Sequence, residues 1–185
     1  MLVLVSKSPR RREILEMSKI DFRILLINVD ENVEEKDPKK YVELTARKKG
    51  LAGINELPND TILSCDTIVV LDDEILEKPK NKLDAYQMIK KLSGRSHFVY
   101  TGVYLGSKNN HFEECFHVET KVKVSKMTEK EIIDYINTDE PYDKAGGYAI
   151  QGLFGKYIEG IEGDYFNVVG LPINEINKHL KKFSI

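Results

Sequence analysis

The chain has no tryptophan, only two cysteines, and no apolar run approaching the roughly 18–20 residues of a membrane-spanning helix. Cys65 and Cys115 lie in strand-like surroundings and outside any metal-ligand spacing, which excludes a disulfide scaffold or a cysteine zinc site. They read as buried thiols in a reducing cytosol. A surplus of one charge is also missing: 28 basic residues face 30 acidic ones, for a net charge of −2. That excludes a nonspecific nucleic-acid binder and makes any basic surface local. Met1 leads straight into a strand, with no signal peptide, so the expectation is a cytoplasmic protein with no nucleic-acid or membrane partner. Internal repeats, low-complexity segments and linkers are absent. Residues 1–185 therefore read as one compact α/β domain, with a bilobed form around a cleft as its variant.

What is present begins with Val3-Leu4-Val5-Ser6-Lys7-Ser8-Pro9-Arg10-Arg11-Arg12. Leu2 to Val5 reads as a buried strand, and Ser8-Pro9 supplies an N-cap hydroxyl and a first-turn proline for a helix. Three arginines then occupy the turn where the helix dipole favours Asp or Glu. Their placement is unfavourable unless an anion is shared between the guanidiniums and the first-turn amides, and polyphosphate fits that geometry. The alternative is a solvated basic turn whose side chains splay into water.

Phe22 to Val29 is a second strand candidate, ending at Asp30-Glu31, where a carboxylate is placed to hold a hard cation. Asp37-Pro38 opens a helix to about Ile54, with Tyr41, Leu44, Thr45, Lys48, Leu51 and Ala52 on one face. That periodicity puts Lys48 on or beside the inward face, as a site cation or as a snorkelling stem. The strand Ile62 to Val70 carries Asp66 and Thr67 in its middle. A carboxylate there needs a cation, a donor set or a polar cleft, unless it only ties a loop through backbone N–H groups. A hairpin at Asp72-Asp73 and a helix from the Asn81 cap to Leu92 follow. Next come strands over Phe98–Gly106 and Phe112–Val124, then a capping box at Thr128-Glu131 opening a helix to about Asn137. The glycines of Asp143 to Gly152 suit close backbone approach but match neither phosphate-loop nor dinucleotide fingerprints. Gly163 to Pro172 reads as a loop and strand, and a closing helix runs from Ile173 to Phe183.

Ser6-Lys7-Ser8-Pro9-Arg10-Arg11 resembles the S-x-S-P-R-R signature of the Maf proteins, nucleoside triphosphate pyrophosphatases also named for septum formation inhibition. The resemblance continues in order through Asp30-Glu31, Lys48, Asp66-Thr67-Ile68-Val69, Lys78-Pro79, Leu92-Ser93-Gly94-Arg95, Thr101-Gly102-Val103 and Gly170-Leu171-Pro172. Asp143-Lys144-Ala145-Gly146 to Ile150-Gln151-Gly152 is similar to the subgroup that hydrolyses dTTP and UTP. The resemblance implies a mixed twisted sheet with flanking helices, in two lobes around a nucleotide-binding cleft (Maf/ITPase-like), and a homodimer. It implies that Asp66 is the proton acceptor, that Arg10, Thr67 and Gln151 set substrate choice, and that Lys48 and Lys78 are phosphate-site lysines. Arg12 lies beyond the motif, as a surface residue. Departures are Glu77 in place of a glycine, Ser64-Cys65 in place of smaller residues, and Gly147 and Ala149 in the Ala-Tyr-Gly pattern.

The implied chemistry is in-line attack of water on the α-phosphorus with pyrophosphate leaving, which demands positioning and charge neutralisation. Ser8, Arg10, Arg11 and the helix amides hold the phosphate tail, and Asp66 orients or deprotonates the water. Mg²⁺ or Mn²⁺ is shared by Asp66, Glu31 and phosphate oxygens. The Gln151 amide suits the acceptor-donor-acceptor edge of uracil or thymine, with CTP the closest competitor. The rival from another class is a nucleotide-dependent binding protein acting on a cell-division partner. An RNA-binding module is excluded for lack of an aromatic-studded basic surface.

Overall fold

The computed structural model describes residues 1–183. Strand β1 (Leu2–Val5) is buried at every position, as its apolar run requires. Helix α1 (Pro9–Met17) begins at the expected proline, yet the Ser8 side chain makes no cap bond. Ser6 takes over that corner, its hydroxyl accepting the Ser8 N–H at 3.1 Å. Strand β2 (Phe22–Leu25) stops well short of Val29 and pairs parallel with β1. Helix α2 (Pro38–Glu56) starts at Asp37, whose carboxylate accepts the Lys39 N–H. Strand β3 (Thr61–Leu71) lies parallel to β1 with Val5 opposite Ser64. It turns through Asp72 and Asp73, both at positive φ, into the antiparallel strand β4 (Glu74–Leu76). Two consecutive positive φ values match the turn that suits the twist of a tight hairpin, and Asp tolerates them.

Helix α3 (Lys82–Leu92) is capped by Asn81, and the long strands β5 (Ser96–Ser107) and β6 (Phe112–Val124) follow. Helix α4 (Glu129–Ile136) carries the complete Thr128–Glu131 capping box. Strand β7 (Ile158–Glu162), which the hydrophobic pattern does not announce, pairs antiparallel with β6. Helix α5 (Tyr165–Val169) occupies a segment expected to be loop and strand. Asp164 starts it by accepting the Phe166 N–H at 2.8 Å, and Asn167 turns inward to donate to the Val99 carbonyl at 3.1 Å. Helix α6 (Ile173–Lys182) closes the chain. The seven strands among the described residues form one mixed sheet in the order β2-β1-β3-β5-β6-β7, with β4 added to β3.

The chain divides into two compact units. Among the described residues, one comprises 1–67, 101–118 and 170–183, and the other 68–100 and 119–169. In the first, Val3, Val5 and Ile62 form a core cluster flanked by Leu25, Ile27, Ile54 and Leu57. In the second, Val69, Ile89, Leu92, Val122, Tyr135 and Phe154 belong to one larger cluster.

The buried face of α2 is Val42, Thr45, Ala46, Gly50 and Gly53, offset from the expected stripe. Counting apolar side chains missed it because two of its contacts are bare backbone. A Cβ on Gly50 would lie 2.0 Å from the Tyr104 ring, and one on Gly53 would lie 2.7 Å from Val5 Cγ2. The tightest approach on the strand side is at Gly102, where a Cβ would stand 2.1 Å from the Val42 carbonyl oxygen. Gly102→Ala forces α2 off β5 and is expected to cost about 3 kcal/mol, the upper end of ordinary overpacking, because the obstacle is backbone and cannot change rotamer. Urea unfolding measures this, and a midpoint equal to wild type would refute the close packing.

In the second unit, His97 is 1% exposed, and burial pushes its imidazole down to about 4. An unfolded chain takes up that proton near pH 6.5, whereas the folded one does not until about pH 4. The contribution is thus complete above pH 6.5 and is lost on acidification, by up to about 3 kcal/mol at pH 4. His97→Gln is expected to flatten this part of the stability profile between pH 6.5 and 4. An unchanged slope in denaturant titrations would show that His97 is already protonated in the fold.

Candidate active site

Asp66 sits inside β3 with 15% of its side chain exposed, and its partner is a cation on α2. That cation is Lys49. Its ammonium donates to Asp66 Oδ1 at 2.9 Å and lies 3.0 Å from Glu31 Oε2, so one positive charge bridges two carboxylates. The local build explains the geometry. Ser64, two residues before Asp66, donates its hydroxyl to the Ala46 carbonyl at 2.6 Å, pinning α2 against β3 one helical turn before Lys49.

Lys48, one position earlier on α2, has different partners. Its ammonium pairs with Asp30 Oδ2 at 3.3 Å and donates to the Asn32 carbonyl at 3.1 Å, with 41% of the side chain exposed. The Asn32 backbone N–H and Lys48 together hold the Asp30 carboxyl below its usual range. Lys48 thus ties down the acidic loop, while its neighbour Lys49 reaches Asp66. The signal that could have identified Lys49 was its spacing from Val42, Thr45 and Ala46, with Gly50 and Gly53 counted as packing positions.

Arg11 is held by carbonyls and a hydroxyl of its own chain. Its Nε donates to the Gly170 carbonyl at 2.8 Å, Nη1 to the Cys65 carbonyl at 2.8 Å, and Nη2 to Thr67 Oγ1 at 3.1 Å. Ser6 Oγ lies a further 3.4 Å from Nη1. A guanidinium occupied in this way grips the chain on both sides of Asp66 and has little left for a phosphate. Thr67 Oγ1 also meets Thr101 Oγ1 at 2.9 Å. The hydroxyl after the carboxylate is therefore oriented from two directions. Arg10 is half-buried in the first turn of α1, with no acidic residue in that turn. Arg12 pairs with Glu16 at 2.7 Å on the surface, as expected.

Cys65 is no nucleophile, since burial pushes its thiol up to about 11. Cys115 donates to the Glu43 carbonyl and is pushed up to about 12, chiefly by burial. Among the described residues, no three His, Cys, Asp or Glu side chains gather as a metal site. The pair Asp66 and Glu31, converging on one positive charge, is the donor set suited to a hard divalent cation. No helix among the described residues is long and apolar enough to cross a membrane.

Lys78 and Gln151 belong to the second unit, and both are exposed. Lys78 follows β4, and the preceding Glu77 carbonyl accepts the Gly146 N–H at 3.2 Å. Gly146 and Gly147 both have positive φ, and a Cβ on Gly146 would stand 2.8 Å from Val69 Cβ. The glycines ahead of Gln151 do permit a close backbone approach, as their pattern suggested.

Known proteins bear out the resemblance read from motif order. A curated relative from Koribacter versatilis, named dTTP/UTP pyrophosphatase, is 45% identical over 185 residues, covering 100% of this chain and 95% of its own. One of the same name from Thermoanaerobacter sp. (strain X514) is 46% identical over 183 residues, covering 98% and 95%. The Staphylococcus aureus Ham1 protein superposes with a TM-score of 0.58 at 13% identity over 98% of each chain, a likeness of fold alone. The family model described as Maf-like protein matches residues 1–183, and the chain belongs to the Maf family.

Proposed function

We propose that this chain is a nucleoside triphosphate pyrophosphatase that converts dTTP and UTP to the monophosphate and pyrophosphate. The observation that carries the reading is the Asp66 carboxylate, held by Lys49 at 2.9 Å beside Glu31 in a chain whose relatives bear that activity in their names.

Water attacks the α-phosphorus; the new O–P bond forms as the α–β bridging O–P bond breaks, and pyrophosphate departs with its electron pair. Asp66 accepts the water's proton. Lys49 holds one oxygen of that carboxylate, leaving the other to face the water. Arg10 and the first-turn amides of α1, with Ser8 at its start, take the phosphate tail, and Lys78 adds a point charge. Arg11 contributes by holding the backbone on which Asp66 and Thr67 stand. Asp66 and Glu31 would hold Mg²⁺ or Mn²⁺ together with phosphate oxygens, and the ion when bound supplies neutralisation of the triphosphate charge. Gln151 reads the pyrimidine edge through a donor and an acceptor, while purines leave polar groups unpaired.

Incubating the protein with a panel of nucleoside triphosphates and either metal, and measuring pyrophosphate and monophosphate, tests the reading. Pyrophosphate from dTTP and UTP, with much less from ATP and GTP, is the expected result. No release from any nucleotide with either metal would overturn it in favour of a nucleotide-dependent binding protein.

A further inference from the structure

A side chain that reads a base must present its amide in one orientation, and Gln151 is exposed, so its neighbours must hold it. Two anchors flank it within the second unit. On the N-terminal side, Tyr148 is 5% exposed, with its hydroxyl 2.6 Å from His97 Nε2 and its ring 4.8 Å from Phe154. On the C-terminal side a 3-10 turn, Leu153–Tyr157, starts at Gly152, which has no side chain to cap it.

Glu140 supplies the missing cap from 13 residues upstream. Its Oε2 accepts the Leu153 N–H at 2.6 Å, and its Oε1 accepts the Phe154 N–H at 3.1 Å. The Tyr135 hydroxyl lies 3.0 Å from both Glu140 Oε1 and the Gly147 carbonyl, so its single proton serves the carboxylate and the glycine turn before Gln151 alternately. A Cβ on Gly152 would stand 2.3 Å from Glu140 Oε2, so the residue directly after Gln151 must be glycine for this carboxylate to reach the amides. A bidentate carboxylate spanning two backbone N–H groups restrains both position and rotation, which a single hydrogen bond cannot do.

We propose that Glu140 is a specificity-determining positioning residue, whose carboxylate holds the Ile150–Gly152 turn so that the Gln151 amide meets the pyrimidine edge. The inference rests on the base-reading role given to Gln151 above. It predicts that Glu140 acts on substrate choice and leaves the chemical step alone.

Glu140→Gln keeps the size of the side chain but turns an NH₂ toward one of the two backbone N–H groups. Its kcat/KM for UTP is expected to fall about 10-fold through KM, and its preference for UTP over CTP to fall about 10-fold, with kcat within about 2-fold of wild type. Gln151→Ala should lose the same preference, and the double variant should lose no more, because both changes remove one interaction. If Glu140→Gln does not fold, Tyr135→Phe removes one bond to the carboxylate and should lower the same preference about 3-fold. Should Gln151→Ala retain the preference, the base-reading role itself fails and the inference falls with it. Should Gln151→Ala lose the preference while the Glu140 or Tyr135 variant keeps it, or slows all nucleotides equally through kcat, the base-reading role stands and the assignment of Glu140 is overturned.

Discussion

Asp66→Asn is expected to lower turnover of dTTP and UTP by at least ~100-fold, within the range for loss of a general base, with nucleotide binding within a few-fold of wild type. The argument is one of shape against protonation. Asparagine fills the same volume on β3, and its carbonyl oxygen can still accept the Lys49 ammonium that Asp66 Oδ1 accepts at 2.9 Å. Position and packing are retained, whereas the capacity to take a proton from water is lost. Pyrophosphate release measured beside direct binding of a non-hydrolysable UTP analogue separates the two. Turnover near wild type would remove Asp66 from the mechanism; loss of binding in proportion to turnover would make it a binding group.

Lys49→Met is expected to lower kcat/KM by about 100-fold, comparable to deleting one preorganised donor in a site that stabilises developing charge. The methionine stem keeps most of the packing, but Asp66 and Glu31 then face each other without the ammonium that lies 2.9 and 3.0 Å from them. Part of the loss is repulsion of the triphosphate by the uncovered carboxylates. Lys48→Met, one position away, is expected to stay within about 3-fold, because an exposed pair such as Lys48–Asp30 is worth little in water. Steady-state kinetics on the two variants decide the matter. The reverse ranking would return the phosphate-site role to Lys48.

That Lys49 meets Asp66 while Lys48 meets Asp30 shows where a sequence argument stops. Successive helical residues point about 100° apart, so an error of one position in the buried stripe exchanges the lysine that meets Asp66 for the one that meets Asp30. The stripe was misjudged because Gly50 and Gly53 pack through their backbone, against Tyr104 and against Val5 and Ile62, and a hydrophobicity pattern gives glycine no weight. A similar gap hides the α5 helix, which five residues of mixed polarity do not announce and which Asp164 and the inward-turned Asn167 hold in place. Arg11 illustrates the other kind of limit. Arginines on a first helical turn invite an anion by charge alone, but its acceptors, Gly170, Cys65 and Thr67, lie up to 159 residues away in the chain.

The sequence by itself determined the local structure whose cause is local: the β1-to-α1 junction, the Asn81 cap, the Thr128–Glu131 capping box and the Asp72-Asp73 hairpin each use hydrogen bonds or backbone angles set within a few residues. It also determined that Asp66, polar inside an apolar strand, needs a partner, since a poorly solvated carboxylate cannot stand alone. Motif order along nearly the whole chain determined the family. Only the tertiary structure decided which lysine is that partner, which arginine is consumed in holding the backbone, and that Glu140 caps the turn after Gln151. Those choices depend on rotation about a helix axis and on contacts between distant segments, and packing sets both.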